Sequence, residues 1–478
     1  MEKLSKEKFV AAHFILSDEC NLRCPYCFVD HKKNIMSREV AKKGVDFLFN
    51  GAIESGSNNI VITFFGGEPT LNIDLMKEIL DYALLKSSDI ALQTRKNIKP
   101  FFSMVTNGMI WSDELTSFLE YWREKTGVID VELSYDGIPE VQNFSRIAYA
   151  LDGHTSGEMM EINLPKIVEF AKKNSIKLGE EIYIHSVVTR KSLPYLSENW
   201  KYFNEQGFPG FWHLMLLEEE WTDDDAKLYD SELNKIFDYC KETNTLDNLA
   251  VNKTFRPQTS PNGCGAGKNF CAFSPDGKIY VCHRLYEHNP DDFLGELISE
   301  ETGTWYVDEE KKAYYESLSG NFVGEKSCDK CGETCYTCIA ANIEKNLLPN
   351  LCFVAHCKMT HIETVFRKKL ILELGANAFA KNNRNVPNFM SNDKQGDHGC
   401  GDDCHCGDTQ ELLMNYFNLV TQYETTMVKL MEAFQELGLI FAENYEKLEN
   451  KVDNLTAQNQ DVLNLLLASL IKQEENKV

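Results

Sequence analysis

Six short apolar runs alternate with longer amphipathic stretches over the first 222 residues of this 478-residue chain. Each run has the length of one buried strand, and each stretch has the apolar spacing of a helix. Strands that alternate with helices in this way pair in parallel through right-handed crossovers. The pattern therefore predicts an α/β fold with six parallel strands. The runs are residues 9–16, 60–65, 101–105, 128–133, 182–188 and 211–217, and the main helical stretches are 38–49, 71–85, 113–124, 163–173 and 196–205.

Unusual residues stand directly after three of these runs. Gly66-Gly67-Glu68-Pro69 follows the second run, Thr106-Asn107-Gly108 the third, and Ser134-Tyr135-Asp136-Gly137 the fourth. Glycine lets a backbone approach a ligand closely, and the carboxylate of Glu68 is a candidate acceptor for a cationic amine. Because barrel folds carry their sites at the carboxyl ends of strands, these segments predict one ligand site at that edge of the sheet.

Three cysteines follow the first run in a C-x3-C-x2-C pattern, at Cys20, Cys24 and Cys27. Three thiolates on one short loop can hold three irons of a [4Fe–4S] cube. The fourth iron then lacks a protein ligand, whereas ordinary ferredoxin clusters are closed by a fourth cysteine. An open iron favours a cluster that binds a small molecule. The alternative for such a triplet is a structural zinc site.

The triplet, with the aromatic Tyr26 before its third cysteine, resembles the radical S-adenosylmethionine (SAM) enzymes. The resemblance implies a partial (β/α)6 barrel in which the open iron binds the amino and carboxylate groups of SAM. It also implies that the reduced cluster cleaves SAM to a 5′-deoxyadenosyl radical, and that Gly66, Gly67 and Glu68 bind the SAM amino group. Tyr26 is a candidate neighbour of the adenine or else a surface aromatic. Further candidates for contacts with SAM, or else turn caps, are Asn107, Ser134, Asp136 and Arg146.

A second cysteine-rich region, residues 264–357, holds nine of the 16 cysteines. It resembles the SPASM domain, a carboxyl-terminal module of peptide-modifying radical SAM enzymes that holds two auxiliary [4Fe–4S] clusters. The resemblance implies that Cys264, Cys271 and Cys282 bind the first cluster with one ligand from a later run. In that run the family's C-x5-C-x3-C spacing is not present as such, so the division of ligands between the two clusters stays open. The candidate ligands of the later run are Cys328, Cys331, Cys335, Cys338, Cys352 and Cys357.

The residue after Cys282 separates two types of maturase. Anaerobic sulfatase maturases, which the chain resembles broadly, carry an acidic residue there as a general base. This chain has His283, in a Cys-His-Arg run that looks more like the maturases that cross-link ribosomal peptides, including those that form thioethers from cysteine. His283 is a candidate catalytic proton acceptor or a hydrogen-bond donor to cluster sulfur.

The main functional hypothesis is a radical SAM–SPASM enzyme with three [4Fe–4S] clusters. It would cross-link a ribosomally made, cysteine-containing precursor peptide, most simply through a thioether, and take electrons from a flavodoxin or ferredoxin. One rival is a sulfatase-type maturase that forms formylglycine on a protein. Another is a non-catalytic iron–sulfur electron carrier, which would not need an open iron. Only 19 residues precede Cys20, so we expect the tail or another protein to recognise a leader peptide.

Charge and hydropathy exclude several partners. The 49 basic and 73 acidic residues give a net charge of −24, which argues against nucleic acid and against an anionic membrane surface. No apolar segment has the length of a signal peptide or a membrane span. A cytoplasmic location is therefore expected, in which clustered cysteines bind metal rather than form disulfides.

The predicted domains follow these motifs. Residues 1–222 form the barrel, 223–262 a polar helix and linker, and 263–372 the SPASM domain. Residues 373–408 are a Cys-, Gly- and Asp-rich loop, in which Cys400, Cys404 and Cys406 either bind a metal or remain free thiols. In residues 409–478 apolar positions recur at alternating spacings of three and four. That spacing predicts a coiled coil that forms a homo-oligomer or a helical hairpin on its own domain.

Overall fold

The computed structural model describes residues 8–217, 219–250, 252–255, 265–288, 292–298, 303–320, 338–344 and 354–375. The predicted loop 373–408, apart from its first three residues, and the predicted helical tail 409–478 lie outside these ranges. In the described part, no helix is long and apolar enough to cross a membrane.

Twelve strands are present in the described part of the chain. Ten of them form one sheet, in the order β12-β11-β10-β9-β1-β3-β4-β5-β7-β8, and the other two form a separate pair. The strands are β1 Ala11–Ile15, β2 Leu22–Arg23, β3 Asn59–Phe65, β4 Lys99–Thr106, β5 Val131–Ser134, β6 Ile147–Ala148, β7 Ile182–Val188, β8 Trp212–Met215, β9 Phe270–Phe273, β10 Lys278–Tyr280, β11 Gly295–Glu296 and β12 Tyr306–Val307.

Helices connect the strands and cover one face of the sheet. Short 3-10 turns at Pro69–Asn72, Leu193–Tyr195 and Lys253–Phe255 precede or follow some of them. The helices are α1 Arg38–Ser55, α2 Ile73–Thr94, α3 Asp113–Thr126, α4 Pro139–Ser145, α5 Ser156–Lys173, α6 Leu196–Glu205, α7 Asp223–Glu242, α8 Leu246–Ala250, α9 His283–His288, α10 Glu309–Gly320, α11 Ile339–Glu344 and α12 Val354–Leu374.

The predicted parallel core is confirmed. Strands β1, β3, β4, β5, β7 and β8 are neighbours in sequence order and pair in parallel throughout. This is the arrangement that successive β–α units with crossovers of one hand produce. All the strand carboxyl ends therefore lie at one edge of this core.

Local signals set the helix boundaries. Helix α1 begins where the Ser37 side chain accepts a hydrogen bond from the Val40 backbone and ends at Gly56, which has a φ of 74°. Helix α5 begins seven residues before the predicted start, because Thr155 and Glu158 form a capping box. The predicted helix after residue 222 is α7, which begins at a capping box of Thr222 and Asp225.

Side chains alternate between the two faces of the core sheet. Phe64 and Phe102 pack on Trp122 of α3, so their face carries the hydrophobic core beneath the helices. The opposite face, which we call the inner face, is defined by five polar residues on β1, β3, β4, β5 and β7. They are His13, Thr63, Ser103, Glu132 and His185.

The second cysteine-rich region extends the same sheet. Strand β9 pairs in parallel with β1, and β10 then pairs antiparallel with β9. Phe273 of β9 packs on Phe14 and Phe47 with ring centroids 5.0 and 5.7 Å apart. The regions predicted as the barrel and as the SPASM domain therefore share a sheet and a core, although the sequence placed a boundary between them.

Candidate functional site

The loop that carries the first three cysteines is residues 18–27, which we call the cluster loop. Within it, β2 pairs with β6, so that Leu22 lies opposite Ala148 and Arg23 opposite Ile147. The Arg23 guanidinium donates to the carbonyl of Cys20 at 2.8 Å, and the Cys27 amide donates to the carbonyl of Cys24 at 3.0 Å. These bonds fix the loop at the carboxyl end of β1.

The thiols of Cys20, Cys24 and Cys27 are half-buried and not joined in disulfides. Backbone N–H groups point at two of them, from Leu22 to Cys20 Sγ and from Val29 to Cys27 Sγ, both at 3.4 Å. Burial raises the pKa of Cys20 and of Cys24 to about 12. Metal coordination would overcome this barrier, because a bound ion deprotonates a thiol outright.

The sequence left two kinds of metal site open for these three thiols, a zinc ion or an iron–sulfur cube. In the described part of the chain, no three Cys, His, Asp or Glu side chains converge on a point that a single ion could occupy. The thiolates of an iron–sulfur cube each bind a different iron, and so lie farther apart than the ligands of one zinc ion. The N–H donors at Cys20 and Cys27 suit thiolates in either kind of site, so the iron–sulfur cluster stays the prediction of the sequence.

The two glycines after β3 lie against the start of the cluster loop. Gly67 N donates to Ser17 O at 2.7 Å and Glu68 N donates to Glu19 O at 2.8 Å. A Cβ on Gly66 would lie 2.4 Å from Ser17 O, and one on Gly67 would lie 2.2 Å from Glu19 O. From the sequence, we expected these glycines to let a ligand approach the backbone. In the structure, the missing side chains instead make room for the backbone of Ser17 and Glu19.

Glu68 is buried and joins the ends of β3 and β4. Its Oε1 accepts from Thr70 N at 3.0 Å, from Thr70 Oγ1 at 2.7 Å and from Thr106 Oγ1 at 2.6 Å, and its Oε2 accepts from Asn107 N at 2.7 Å. Burial raises the pKa of Glu68, and these hydrogen bonds oppose that shift. The first role of the carboxylate is thus to hold two strand ends together, and its contact with the SAM amino group stays a prediction.

Asn107 links the end of β4 to the cluster loop. Its Nδ2 donates to Asn21 Oδ1 at 2.7 Å and lies 3.7 Å from Cys20 Sγ, while its Oδ1 accepts from Met109 N at 3.0 Å. Ser134, the last residue of β5, lies opposite His185 of β7. Both predicted residues therefore lie at the carboxyl edge, and Asn107 also contacts a predicted cluster ligand.

Three of the predicted residues, Tyr26, Asp136 and Arg146, form one network. Asp136 Oδ1 accepts from Arg146 Nη2 at 2.9 Å and from Val187 N at 3.0 Å, and its Oδ2 accepts from the Tyr26 hydroxyl. The guanidinium lies 5.6 Å from the centre of the Tyr26 ring. Arg146 also lowers the pKa of Cys24 against the larger effect of burial. The network joins Tyr26 to the site instead of leaving it as an isolated surface aromatic.

Polar atoms without partners surround this network. In the part of the chain that the structure describes, five atoms near the cluster loop and the end of α4 are shielded from solvent and make no hydrogen bond. They are Asp18 Oδ1, Asn21 Nδ2, Gln142 Nε2, Ser145 Oγ and Arg146 Nε. Buried polar atoms are normally paired, so these atoms fit a bound polar ligand. The amino-acid end of SAM would supply both a carboxylate and an amine, with Arg146 and Asn21 as donors to the carboxylate.

His283 lies beside the cluster loop, at the start of α9. Its Nδ1 is 2.8 Å from His13 Nδ1, and its ring lies 4.5 Å from Phe65 and 5.3 Å from Phe28, the neighbour of Cys27. Burial lowers the pKa of His283 well below its usual value and that of His13 to about 4. This makes His283 a weak proton acceptor, and its catalytic role stays a prediction.

Of the predicted auxiliary ligands, the structure describes the side chains of three. Cys271 is buried on β9 with its Sγ 3.8 Å from Ala11 O, and the Cys282 Sγ lies 3.7 Å from His283 Nδ1. Cys338 accepts from the Ala341 amide at 3.5 Å at the start of α11. The two auxiliary clusters stay predictions, because the other ligands lie outside the described residues. These are Cys264, Cys328, Cys331, Cys335, Cys352 and the side chain of Cys357.

Sequence reasoning missed three residues of the site. Asp18 accepts from the Tyr286 hydroxyl at 3.0 Å, and burial raises its pKa to about 6. Asn21 contacts Asn107, and Gln142 Oε1 accepts from the Asp136 amide at 2.8 Å. Asp18 and Asn21 stand beside Cys20 in sequence, a signal that could have found them. Gln142 lies within α4 and carries no comparable signal.

Comparisons with known proteins agree with this geometry. The family model described as the Radical SAM superfamily matches residues 14–150. An uncharacterised protein of Methanocaldococcus jannaschii is 31% identical over 193 residues, which are 40% of this chain and 57% of that protein. A cysteine-type anaerobic sulfatase-maturating enzyme of Clostridium novyi is 25% identical over 56% of this chain and 71% of its own length. The radical SAM cyclopropyl synthase TigE of Paramaledivibacter caminithermalis is 24% identical over 71% of this chain and 69% of its own.

A solved structure extends the likeness to most of the described chain. Native anSMEcpe with bound AdoMet superposes with a TM-score of 0.55 and 21% sequence identity, over 76% of this chain and 98% of that one. At this identity the likeness establishes the fold alone. By the match to the family model, residues 14–150, which include the cluster loop, the glycine segment and the Asp136–Arg146 pair, form a radical SAM domain.

Proposed function

We propose that this chain is a radical SAM peptide maturase that cross-links a cysteine-containing precursor peptide through a thioether. A cluster on Cys20, Cys24 and Cys27, with SAM, would supply a radical that abstracts hydrogen from carbon. The residues of this chain bind and orient: Asn107 and the backbone amides fix the cluster loop, and Arg146 and Asp136 form the polar wall beside it. Two auxiliary clusters in residues 263–372 and an electron donor of the flavodoxin or ferredoxin type belong to the same proposal.

The main support for a peptide cross-linking function is the contact between the two cysteine regions. The ring of His283, the neighbour of Cys282, packs near Phe28, which directly follows the cluster loop, and near Phe65 at the end of β3. Tyr286 of the same helix donates to Asp18 of the loop. A substrate at the carboxyl edge of the sheet would therefore meet both cysteine regions at once. The similarity to TigE spans 370 residues, well beyond the radical SAM domain, which supports a function that uses both regions.

A sulfatase-type maturase is the second candidate, and the similarity to the Clostridium novyi enzyme favours it. That function would form formylglycine on a protein substrate. In such enzymes, by the resemblance described above, an acidic residue follows the cysteine that corresponds to Cys282. This chain has His283 there, in a Cys-His-Arg run that looks more like the maturases that cross-link ribosomal peptides, which favours the cross-linking function.

Mass spectrometry of co-expressed peptides separates the two functions. We would co-express the chain with short cysteine-containing peptides encoded by neighbouring genes. A thioether lowers the peptide mass by two hydrogens and protects the bonded cysteine from alkylation. A hydrazine-reactive aldehyde would instead establish the sulfatase-type function.

The radical SAM part of the proposal has its own test. The anaerobically reconstituted chain should hold about twelve irons and form 5′-deoxyadenosine, and replacing Cys20, Cys24 and Cys27 by Ala should abolish that product while about eight irons remain. As a matched control, Cys240→Ala alters a buried cysteine of α7 outside both cysteine regions and should change neither quantity. Persistent cleavage of SAM in the triple variant would contradict the assignment.

A further inference from the structure

The inner face of the sheet carries a carboxylate–imidazole pair that the site described above does not use. His185 Nδ1 lies 2.7 Å from Glu132 Oε1. Because an ionised carboxylate only accepts hydrogen bonds, Nδ1 is the protonated nitrogen of the ring and Nε2 carries the lone pair. The pair therefore presents a proton acceptor of defined tautomer.

The His185 ring is also held in position. It stacks on Trp212 of β8 with a centroid distance of 3.6 Å and an interplanar angle of 5°. The side chains of Glu132 and His185 are 16% and 15% exposed, although the apolar residues on the opposite face of the same strands are fully buried. His185 Nε2 is shielded from solvent and makes no hydrogen bond to any residue that the structure describes.

The position of the pair relates it to the radical SAM site. His185 lies opposite Ser134, the last residue of β5, so it stands at the carboxyl edge of the sheet where the cluster loop lies. Other ionisable groups face the pair from neighbouring strands: Tyr183 donates to Glu132 at 3.5 Å, and the charge of Glu132 raises the pKa of His13. On β8, His213 is close enough to His185 for the two to interact electrostatically. Asp130, next to β5, interacts with Tyr183.

We propose that His185, positioned by Glu132, accepts the proton of a substrate cysteine thiol that enters the inner face. This inference rests on the proposed function, since it assumes a cysteine-containing substrate. In the step, the S–H bond breaks, its electron pair stays on sulfur, and the proton binds Nε2. The step needs no oxidant. It yields the thiolate, which is the reactive form of cysteine.

The chemistry of the pair selects a thiol over a hydroxyl. The reference pKa values of imidazole and thiol differ by about two units, so proton transfer between them is readily reversible near neutral pH. An aliphatic hydroxyl is a far weaker acid than a thiol and would not ionise against imidazole alone. The aromatic neighbours Trp212 and Tyr183 offer an apolar wall suited to the side chain of cysteine.

An engineered thiol tests the inference without any knowledge of the substrate. Val105 lies opposite Glu132 on β4, so Val105→Cys places a thiol on the inner face beside the pair. Its alkylation by iodoacetamide in the holoenzyme is followed from pH 6 to pH 9 by mass spectrometry of that one peptide. Adding His185→Asn should lower the rate at pH 7 about tenfold, the equivalent of one pKa unit, because the thiol then has no imidazole to accept its proton and the charge of Glu132 disfavours the thiolate.

The matched control is His154→Asn, which removes a half-exposed histidine from the loop before α5 and should leave the rate unchanged. An equal rate in the His185→Asn background would overturn the inference. So would an engineered thiol that does not react at any pH, because a closed inner face could not admit a substrate thiol.

The peptide from the co-expression experiment provides the second test. His185→Asn and Glu132→Gln should lower product formation at pH 7 at least tenfold while iron content stays at the parent level. Product formation by His185→Asn should recover towards pH 9, where the thiol ionises by itself. Glu132→Asp, which keeps a carboxylate, should retain much of the product formation that Glu132→Gln loses. A purely structural role would not produce this recovery with pH.

The outcomes separate the inference from the proposed function. If the parent chain modifies no peptide, the proposed function fails, and the alkylation of the engineered thiol still decides the chemistry of the pair. If the parent modifies a peptide and His185→Asn does so at the same rate, the inference alone is wrong. Equal modification of a peptide with Ser in place of Cys would also contradict the selection of a thiol.

Discussion

At the scale of single residues, the polar side chains of the candidate site bind one another before they bind any ligand. Asp136 and Arg146 form an ion pair whose side chains are 0% and 9% exposed, and Glu68 is saturated by neighbouring donors. Groups held in this way keep their positions in the absence of a ligand. Such preorganisation lowers the cost of ordering the site when a ligand binds.

The buried ion pair gives the first prediction. Arg146→Met leaves the Asp136 carboxylate without its counter-charge and should lower the free energy of unfolding by about 3–5 kcal/mol. The double variant Asp136→Asn with Arg146→Met removes both charges and should cost less than Arg146→Met alone. Anaerobic chemical denaturation measures these differences, and equilibrium dialysis should show weaker SAM binding in both variants. A double variant that is less stable than Arg146→Met would contradict this account of the pair.

The second prediction concerns pH and Glu363 of α12. Its carboxylate accepts from Tyr229 at 3.0 Å, and burial raises its pKa from 4.5 to about 7. Between these two pH values the folded chain holds a proton that the unfolded chain has lost. The contribution of Glu363 to stability is therefore most favourable below pH 4.5 and declines as the pH rises to 7.

Glu363→Gln removes this dependence on pH. The variant should be more stable than the parent by about 3 kcal/mol at pH 8, and by less than about 1 kcal/mol at pH 5. Melting temperatures of both proteins at the two pH values provide the measurement. Glu373→Gln, on the same helix, is the control and should show no such difference. A stabilisation that is the same at pH 5 and pH 8 would show that Glu363 is ionised in the fold.

At the scale of elements, the cluster loop depends on the segment after β3. The backbone hydrogen bonds of Gly67 and Glu68 continue the pairing of β1 and β3 into the loop. Local propensity explains the ends of α1 and α3, which stop at glycines with positive φ. It does not explain the shape of the loop, which comes from contacts with residues 49 and 50 positions away.

Substitution of Gly66 gives the third prediction. A Cβ there would lie 2.4 Å from a backbone oxygen, at a φ of +133°, and no side-chain movement relieves that contact. Gly66→Ala should therefore displace the loop and remove about four irons, one cluster, from the reconstituted protein. Iron and sulfide analysis measures this loss.

Gly127→Ala is the matched control for Gly66→Ala. Gly127 also has a positive φ, of +83°, but open space surrounds the position of its Cβ. This variant should lose only about 1–2 kcal/mol of stability and keep its full iron content. Equal iron loss in the two variants would show that strain in φ, and not the contact with Ser17, is responsible.

At the scale of the whole molecule, β1 lies in the interior of the ten-stranded sheet. It pairs with β3 on one side and with β9 on the other. The strand that leads into the cluster loop is therefore held by both cysteine regions. The described residues from 8 to 375 fall in one compact unit, which agrees with a core shared between the two regions.

Truncation provides the fourth prediction. A chain that ends at residue 262 would leave the edge of β1 unpaired and would expose the surface that Phe273 covers on Phe14 and Phe47. Open edges of this kind promote aggregation. We expect this fragment to be largely insoluble, whereas a chain that ends at residue 394 should be soluble and hold iron. Soluble yield and size-exclusion chromatography measure both, and a monomeric 1–262 fragment would contradict the shared core.

The sequence by itself determined the order of the strands and helices and the location of the candidate site. Residues 182–188 and 196–205 were predicted with the boundaries that β7 and α6 have, because apolar periodicity records which face of an element is buried. The cysteine triplet and the three strand-end motifs predicted one site at the carboxyl edge, because parallel strands bring their ends together. All of these are local signals or consequences of the order of strands.

Only the tertiary structure decided which side chains meet. The pairing of Arg146 with Asp136, of His283 with His13 and of β9 with β1 joins residues that are 10, 270 and about 259 positions apart. No periodicity or spacing records such contacts, because they depend on the register between strands and on how loops close over them. The Glu132–His185 pair is of the same kind. Each residue occupies an ordinary position in its strand, and only the register of β5 and β7 makes the two residues a pair.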